Sequence, residues 1–170
     1  MYVEEQSILA AIKEAERPFA KTGKDLESIR ESLFDCMWED VGIIRSKEGL
    51  VKARDSLRAM QAKLMDTGVV DGDRALNAQW HDWLNLRNLI SVSRVITEAA
   101  LARDNSRGAH FREDFPAAGD LESSTYTAVR LSGEKVEIAR QPVQFVLVKP
   151  GETVLREEDA AVPASPVPAT

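Results

Sequence analysis

Four segments of the chain repeat apolar residues at intervals of three and four, and this spacing constrains the fold most. It places the apolar side chains on one face of an α-helix. The segments cover about residues 4–17, 25–45, 47–65 and 74–102, and Pro18 ends the first. The four stripes are Ile8, Leu9, Ile12 and Ala15; Leu26, Ile29, Leu33, Met37, Val41 and Ile44; Leu50, Ala53, Leu57, Met60 and Leu64; and Leu76, Trp80, Trp83, Leu86, Ile90, Ile96 and Ala99.

Short polar breaks separate these segments. "KTGKD" follows the first and "DTGVVDGD" follows the third, while Asp25 and Ser46 stand where helix N-caps are expected. Long amphipathic helices joined by short loops pack as antiparallel neighbours. We therefore predict a mainly α fold: a spectrin-repeat-like, antiparallel three-helix bundle with an extra N-terminal helix and a C-terminal β-hairpin.

The hairpin prediction rests on a change of pattern after residue 116. "STYTAVRL" and "KVEIARQPVQFVLV" indicate strands, "SGEK" is the turn between them, and Pro142 indicates an edge strand or a new strand start. The end, "REEDAAVPASPVPAT", is charged and then rich in Ala and Pro, so we expect disorder. The predicted divisions are a helix and linker at 1–22, the bundle at 23–118, the hairpin extension at 119–150 and a disordered tail at 151–170.

Composition excludes several classes of protein. A net charge of -6 argues against a nucleic-acid-binding protein, which needs a basic face. Cys36 is the only cysteine, so the chain has neither an internal disulfide nor a cysteine-based metal site. No apolar run reaches the roughly 18 residues that span a bilayer, and "MYVEEQSILAAIKEAE" lacks the basic start of a signal peptide. We expect a cytoplasmic protein without direct membrane insertion.

Most of the residues that could take part in catalysis or ligand binding have plain structural interpretations. The sequence contains no phosphate-binding glycine loop. Cys36 lies between apolar residues, which favours a buried, inert thiol. His81 is adjacent to Asp82, and adjacent residues of a helix do not face each other. Trp80 and Trp83 share one helix face and are interpreted as core or interface anchors.

The segment "NSRGAHFREDFP" (residues 105–116, the motif segment) is the exception, because it concentrates charged and aromatic residues after the last helix. Gly108 suits a helix end, Arg107 and Arg112 present planar forks for carboxylates or carbonyls, and His110 can donate and accept. Asp114 can pair with an arginine. Three interpretations stay open: a structural cluster that joins the helix to the hairpin, an interface with another domain, and a catalytic site. We favour the structural one, because buried polar clusters rigidify when fully paired.

Residues 106–116, "SRGAHFREDFP", resemble the S-R-G-A-H-x-R-x-D-[FY]-P signature of the flavoprotein subunits of succinate dehydrogenase and fumarate reductase. L-Aspartate oxidase is a relative, although Ala109 and "FRED" favour the succinate/fumarate branch. Upstream, "LFDCMWEDVGIIRSKEGLVKARDSLRAM" resembles the helical domain of the same family. The matching positions there are Met37, Val41, Gly42, Ile43, Arg45, Leu50 and Ala53. "AAGDLESSTYT" departs from the respiratory enzymes, because it lacks their tryptophan and histidine.

The resemblance implies the C-terminal helical domain of an FAD-dependent oxidoreductase that exchanges hydride with succinate or fumarate. FAD and the catalytic residues would belong to domains upstream, so we assign no catalytic, cofactor-binding or metal-binding residue to this chain. The implied partners are the FAD-binding domain of the same polypeptide and an iron–sulfur subunit, on the inner face of the cytoplasmic membrane. The alternative is a free-standing helical interaction module that forms a homodimer through an exposed apolar stripe.

Overall fold

The part of the chain that the structure describes forms four α-helices and two small β-sheets, which confirms the predicted mainly helical fold with a C-terminal hairpin. The computed structural model describes residues 4–22, 25–133 and 135–152. In chain order the elements are α1 (Glu5–Ala15), a 3-10 helix (Arg17–Ala20), α2 (Leu26–Glu39), β1 (Ile44–Arg45), α3 (Lys47–Met65), α4 (Ala78–Leu101), β2 (Phe111–Arg112), β3 (Thr125–Ser132) and β4 (Lys135–Pro142).

Helices α2, α3 and α4 form the bundle, with α3 packed against both of the others. Their directions follow from contacts at the two ends. The start of α2 meets the end of α3 through Asp25 and Lys63, and the other ends meet through Asp40 and Lys52. These neighbours are therefore antiparallel, as predicted. The buried apolar core consists of Leu26, Ile29, Leu33, Cys36, Val41, Leu50, Ala53, Leu57, Leu64, Trp83, Leu86, Ile90 and Ala100.

Two side chains cap helix starts by accepting a backbone hydrogen bond. Ser46 Oγ accepts from the Gly49 amide at 3.1 Å, which confirms the predicted cap of α3. Asn77 Oδ1 accepts from the Trp80 amide at 2.9 Å and so begins α4. Asp25 precedes α2 as predicted, but its carboxylate accepts from Ser28 Oγ and Lys63 instead of a backbone amide of the helix.

Two predicted helix boundaries, the end of α2 and the start of α4, are wrong. Helix α2 ends at Glu39 instead of continuing to Ile44, because the chain turns tightly at Gly42. A Cβ on Gly42 would lie 2.4 Å from the Trp38 carbonyl oxygen, so this close approach requires glycine. Helix α4 begins at Ala78, since Asn77 caps it, and the predicted core residue Leu76 is fully exposed with a φ of +54°.

The buried face of α4 is more polar than predicted. Ile96 is exposed, and the last two turns bury Ser93, Arg94, Thr97 and Ala100 instead. The Thr97 hydroxyl donates to the Ser93 carbonyl at 2.8 Å, so it is satisfied within the helix. Helix α1 buries none of its residues, and its apolar stripe faces outward.

Strands β3 and β4 form the predicted antiparallel hairpin, which packs against α4. Ser132 pairs with Lys135 across the "SGEK" turn, where Gly133 has a φ of +58°. Strand β4 ends at Pro142. The second part of the predicted strand, "VQFVLV", is therefore not a strand, and that prediction was wrong. Of the tail predicted to be disordered, residues 153–170 lie outside the described residues.

Candidate functional site

The motif segment lies against the turn that follows α2, where it forms a parallel strand pair that the sequence did not predict. In this pair Ile44 faces Phe111 and Arg45 faces Arg112. The amide of Glu113 extends the ladder by donating to the Arg45 carbonyl at 2.9 Å. Strands β1 and β2 therefore bring together the two parts of the chain that carry the family resemblance, "VGIIR" and "SRGAHFREDFP".

Arg112 is the most buried charged residue of the described chain, at 1% exposure. Its Nη1 donates to the carbonyls of Ala100, Leu101 and Arg103 at 3.1, 3.1 and 2.9 Å. These carbonyls lie at or just beyond the C-terminal end of α4, where the helix leaves acceptors unpaired and favours a cation. Arg112 therefore caps the end of α4 from β2, which follows that helix in the chain.

The other side of the Arg112 guanidinium is paired with Asp114. Arg112 Nε donates to Asp114 Oδ1 at 2.8 Å and Nη2 donates to Oδ2, forming a bidentate pair. The hydrogen bonds from Arg112 lower the pKa of Asp114 below its usual value. The guanidinium also lies 4.9 Å above the centroid of the Phe115 ring. All three nitrogens of Arg112 thus have acceptors within the chain.

Arg107 joins the motif segment to the start of the hairpin. Its Nε donates to the Ala118 carbonyl at 2.5 Å, Nη2 to the Asp120 carbonyl at 2.6 Å and Nη1 to Ser124 Oγ at 2.7 Å. Its backbone exchanges two hydrogen bonds with His110, which closes a turn. Gly108 occupies that turn with a φ of +55°, a conformation that glycine adopts without strain.

Ser106 was not singled out in the sequence, although it organises the centre of the motif segment. Its Oγ donates to the Phe115 carbonyl at 2.8 Å and accepts from the Arg112 amide at 2.8 Å. Its own amide donates to the Ala117 carbonyl at 2.9 Å. Serine hydroxyls commonly bind nearby backbone groups in turns, which is the signal that could have indicated this role.

His110 is buried and accepts a hydrogen bond at Nδ1 from Arg45 Nη1 at 2.8 Å. Because arginine only donates, the proton of the neutral imidazole resides on Nε2. Nε2 is also buried and has no hydrogen-bond partner among the described residues. Burial first, and then the nearby charges of Arg103, Arg45 and Arg112, lower the pKa of His110 from 6.5 to about 4.

Two arginines beside His110, Arg45 and Arg103, make no ion pair with a carboxylate among the residues described. Arg45 donates to His110 and to the Val41 carbonyl, and Arg103 donates to Asn105 Oδ1. Desolvation and a neighbouring arginine lower the pKa of both Arg45 and Arg103. Arg45, Arg103 and Arg112 therefore place positive charge around the His110 imidazole. The sequence pointed to Arg107 and Arg112, but the contribution of Arg45 depends on its long-range pairing.

The remaining candidates do not form a reactive site. Cys36 is buried, its Sγ lies 4.0 Å from the Ala53 carbonyl oxygen, and burial raises the pKa of its thiol. Asp82 pairs with Arg30 at 3.3 Å. Within residues 4–22, 25–133 and 135–152, no group of three His, Cys, Asp or Glu side chains could hold a metal ion.

The two tryptophans anchor parts of the fold. Trp83 is fully buried, and its Nε1 donates to the carbonyls of Leu64 and Thr67 at 3.1 and 3.0 Å. Trp80 Nε1 donates to the Ala15 carbonyl at 2.7 Å, and its ring lies edge-on to Phe19 at 5.1 Å. Trp80 therefore holds the end of α1 against α4. No helix of the described residues is both long enough and apolar enough to cross a bilayer.

Known proteins resemble this chain in both sequence and structure. The family model described as fumarate reductase flavoprotein C-term matches residues 30–155. The fumarate reductase flavoprotein subunit of Mycobacterium tuberculosis is 32% identical over 133 residues, which are 78% of this chain and 23% of that protein. A fumarate reductase (CoM/CoB) subunit of Methanothermobacter marburgensis is 38% identical over 88 residues, which are 52% of this chain and 16% of that protein.

Among solved structures, Mycobacterium smegmatis Sdh1 in complex with UQ1 superposes with a TM-score of 0.76 at 28% identity. The match covers 84% of this chain and 24% of that one. The chain thus spans about a quarter or less of the length of these relatives. The family model covers most of this chain, including α3, α4 and the motif segment. The chain belongs to the fumarate reductase flavoprotein C-terminal family.

Proposed function

We propose that this chain is the C-terminal helical domain of an FAD-dependent succinate dehydrogenase/fumarate reductase-type oxidoreductase, in which it braces the flavin-binding domain and performs no chemistry itself. The observation that carries the proposal is the family match over residues 30–155. Two of the relatives that match are named fumarate reductase subunits, and they extend far beyond the matched segment. We infer that a domain of about a quarter of such a protein acts by contacting the other domains of the same polypeptide.

The geometry of the motif segment supports a bracing role. Arg107 and Arg112 donate mainly to backbone carbonyls of their own chain, and Asp114 is paired with Arg112. Side chains fixed in this way rigidify the junction of α4 and the hairpin. Because these donors are already engaged within the chain, they are not free to bind the phosphates of FAD. We place the flavin in the domain that this chain braces.

We assign Arg107, Gly108, His110, Arg112 and Asp114 a structural and interdomain role. The proposed partners are the FAD-binding domain of the same polypeptide and, through it, an iron–sulfur electron-transfer subunit. The proposed location is the cytoplasm, at the inner face of the membrane as part of a complex. We also propose the divisions 1–22, 23–118, 119–150 and 151–170.

A domain replacement tests the bracing role. The Mycobacterium tuberculosis fumarate reductase flavoprotein subunit is prepared without the 133-residue segment that matches this chain, and again with this chain fused in its place. We expect the truncated subunit to lose FAD on gel filtration and the fused one to retain it. The isolated chain should show neither flavin absorbance nor succinate-dependent dye reduction. Turnover by the isolated chain, or undiminished FAD in the truncated subunit, would contradict the proposal.

A second candidate function is a helical interaction module that dimerises through an apolar stripe. The outward face of α1, with Ile8, Leu9 and Ile12 all about half exposed, favours it. Analytical ultracentrifugation of the isolated chain measures the dimer directly. Leu9→Lys should dissociate the dimer if α1 forms its interface, whereas a monomer at all concentrations would remove this candidate.

A further inference from the structure

The parallel pair β1–β2 has an unusual distribution of side chains. Ile44 and Phe111, which face each other across the pair, are 60% and 39% exposed. On the opposite side, Arg112 is 1% exposed and Arg45 is partly buried. The charged side chains therefore point into the protein and the apolar ones point out of it, which reverses the usual arrangement. Parallel strands are normally covered on both faces, but no described residue forms a layer over the outer face of this pair.

The exposed pair continues into a larger apolar surface. Trp38 and Ile43 are 77% and 78% exposed, and they line one groove together with Ile44. Phe34 is exposed one helical turn before Trp38 on the same side of α2. We call this surface the apolar end face, and it consists of Phe34, Trp38, Ile43, Ile44 and Phe111. Contiguous exposed aromatic and branched side chains mark binding surfaces, where tryptophan contributes disproportionately to affinity.

We propose that the apolar end face is the surface that docks the flavin-binding domain of the same polypeptide; this inference rests on the proposed function. Two observations select that occupant. The related proteins devote about three quarters or more of their length to parts outside the segment that matches this chain. In addition, the face is built at the meeting point of "VGIIR" and "SRGAHFREDFP", the two stretches with the family pattern. The exposed stripes of α1 and α4 contain neither.

The arrangement also explains how the face is held in shape. Ile44 and Phe111 are fixed by the ladder beneath them, and the ladder is fixed by the bonds of Arg45 and Arg112 to carbonyls and His110. The inward charges thus position outward apolar groups before docking. A preorganised surface loses less conformational entropy when its partner binds.

The test uses the fused subunit of the domain replacement, with single substitutions in this chain. Ile43→Lys and, separately, Trp38→Glu place a charge on the apolar end face. Val92→Lys, on the exposed side of α4, is the matched control, because Val92 is also an exposed branched side chain. The readout is the concentration of FAD at half-saturation of the purified, flavin-stripped protein. We expect both end-face variants to raise it about tenfold or more and Val92→Lys to leave it unchanged.

The isolated 170-residue chain provides the folding control. Because Ile43 and Trp38 are highly exposed, their substitutions should leave its thermal midpoint within about 2 °C of the parent. FAD affinity unchanged by both end-face substitutions, in a fused subunit that holds FAD, would overturn the surface assignment while leaving the bracing role intact. A fused parent without FAD would instead overturn the bracing role. If Val92→Lys alone weakens FAD binding, the docking surface lies on α4. If the isolated chain is a dimer that Ile43→Lys dissociates without affecting FAD, the occupant is a second copy.

Discussion

Arg45 and His110, 65 residues apart in sequence, are joined by a 2.8 Å hydrogen bond from Nη1 to Nδ1. This bond fixes the tautomer of the imidazole and places a permanent positive charge beside it. A second proton on His110 would sit next to that charge in a buried place. The neutral imidazole is therefore the form that the folded chain requires.

The first prediction concerns the pH dependence of stability. The pKa of His110 is about 4 in the folded chain, against its ordinary value of 6.5. Between these values the unfolded chain binds a proton that the folded chain does not, so the stability present above pH 6.5 falls as pH drops toward 4. We expect a loss of about 1–3 kcal/mol over this window, measured by urea unfolding.

His110→Gln is the matched control, because glutamine keeps an acceptor for Arg45 and does not titrate. Its stability should vary less between pH 6.5 and 4 than that of the parent. The carboxylates Asp25, Asp114 and Asp120 have lowered pKa values, so their contributions are lost below about pH 4, outside this window. An equal slope in parent and variant would assign the effect to other groups.

The second prediction concerns Arg112. Arg112→Met preserves the aliphatic stem but removes every donor, which leaves carbonyls at the end of α4 without partners and Asp114 unpaired. We expect the free energy of unfolding to fall by about 3–5 kcal/mol, since breaking one side of a buried ion pair is strongly destabilising. Chemical denaturation followed by far-UV circular dichroism measures the change.

Arg58→Met supplies the comparison for Arg112. Arg58 also pairs with a helix carboxylate, Glu98, but it is 58% exposed and the closest approach is 3.7 Å. Its replacement should cost less than about 1 kcal/mol. Equal losses in the two variants would show that burial does not give Arg112 its special weight.

The helical core could be predicted from the sequence, and helix α3 shows why. Leu50, Leu57 and Leu64 recur every seven residues and are all fully buried, because α3 lies between α2 and α4. A local pattern suffices when a helix keeps one face toward the core for its whole length. The hairpin could be predicted for the same reason, since its turn residues and the alternation of side chains along its strands are local features.

The turn after α2 could not be predicted from a local pattern. Ile44 falls three residues after Val41 and so continues the helical stripe, although the chain has already turned at Gly42. Strands β1 and β2 have two residues each and pair across more than sixty positions, so neither has a local signature. The motif segment was identified as a polar cluster, but the contact of its His110 with Arg45 depends on that distant pairing.

The third prediction tests the core. Leu57 has 0% exposure on α3, so Leu57→Ala removes methyl groups from the centre of the bundle. The expected loss is about 2–5 kcal/mol, and its size depends on how far neighbours relax into the cavity. Leu89→Ala on the exposed side of α4 is the control and should cost less than about 0.5 kcal/mol. A change of that small size for Leu57 would mean that α3 does not pack as described.

The fourth prediction concerns the contact between the N-terminal segment and the α3–α4 loop. A Cβ on Gly68 would lie 1.9 Å from the Lys21 carbonyl oxygen, and the adjacent Val69 amide donates to the Pro18 carbonyl at 3.2 Å. Gly68→Ala therefore forces the 3-10 helix away from the loop. We expect a loss of about 1–3 kcal/mol, which is typical of overpacking at a site that cannot yield.

Gly72→Ala is the matched control for Gly68→Ala, because Gly72 lies in the same loop and a Cβ there would meet no atom of the described residues within 4 Å. It should leave stability unchanged or raise it by a few tenths of a kcal/mol, since alanine restricts the unfolded chain. Local effects can be followed by hydrogen exchange. Gly68→Ala should deprotect the amides of α1 and the 3-10 helix, which Trp80 and the loop hold against α4, while those of α3 stay protected. Protection of α1 unaltered by Gly68→Ala would mean that the loop does not hold the N-terminal segment in place.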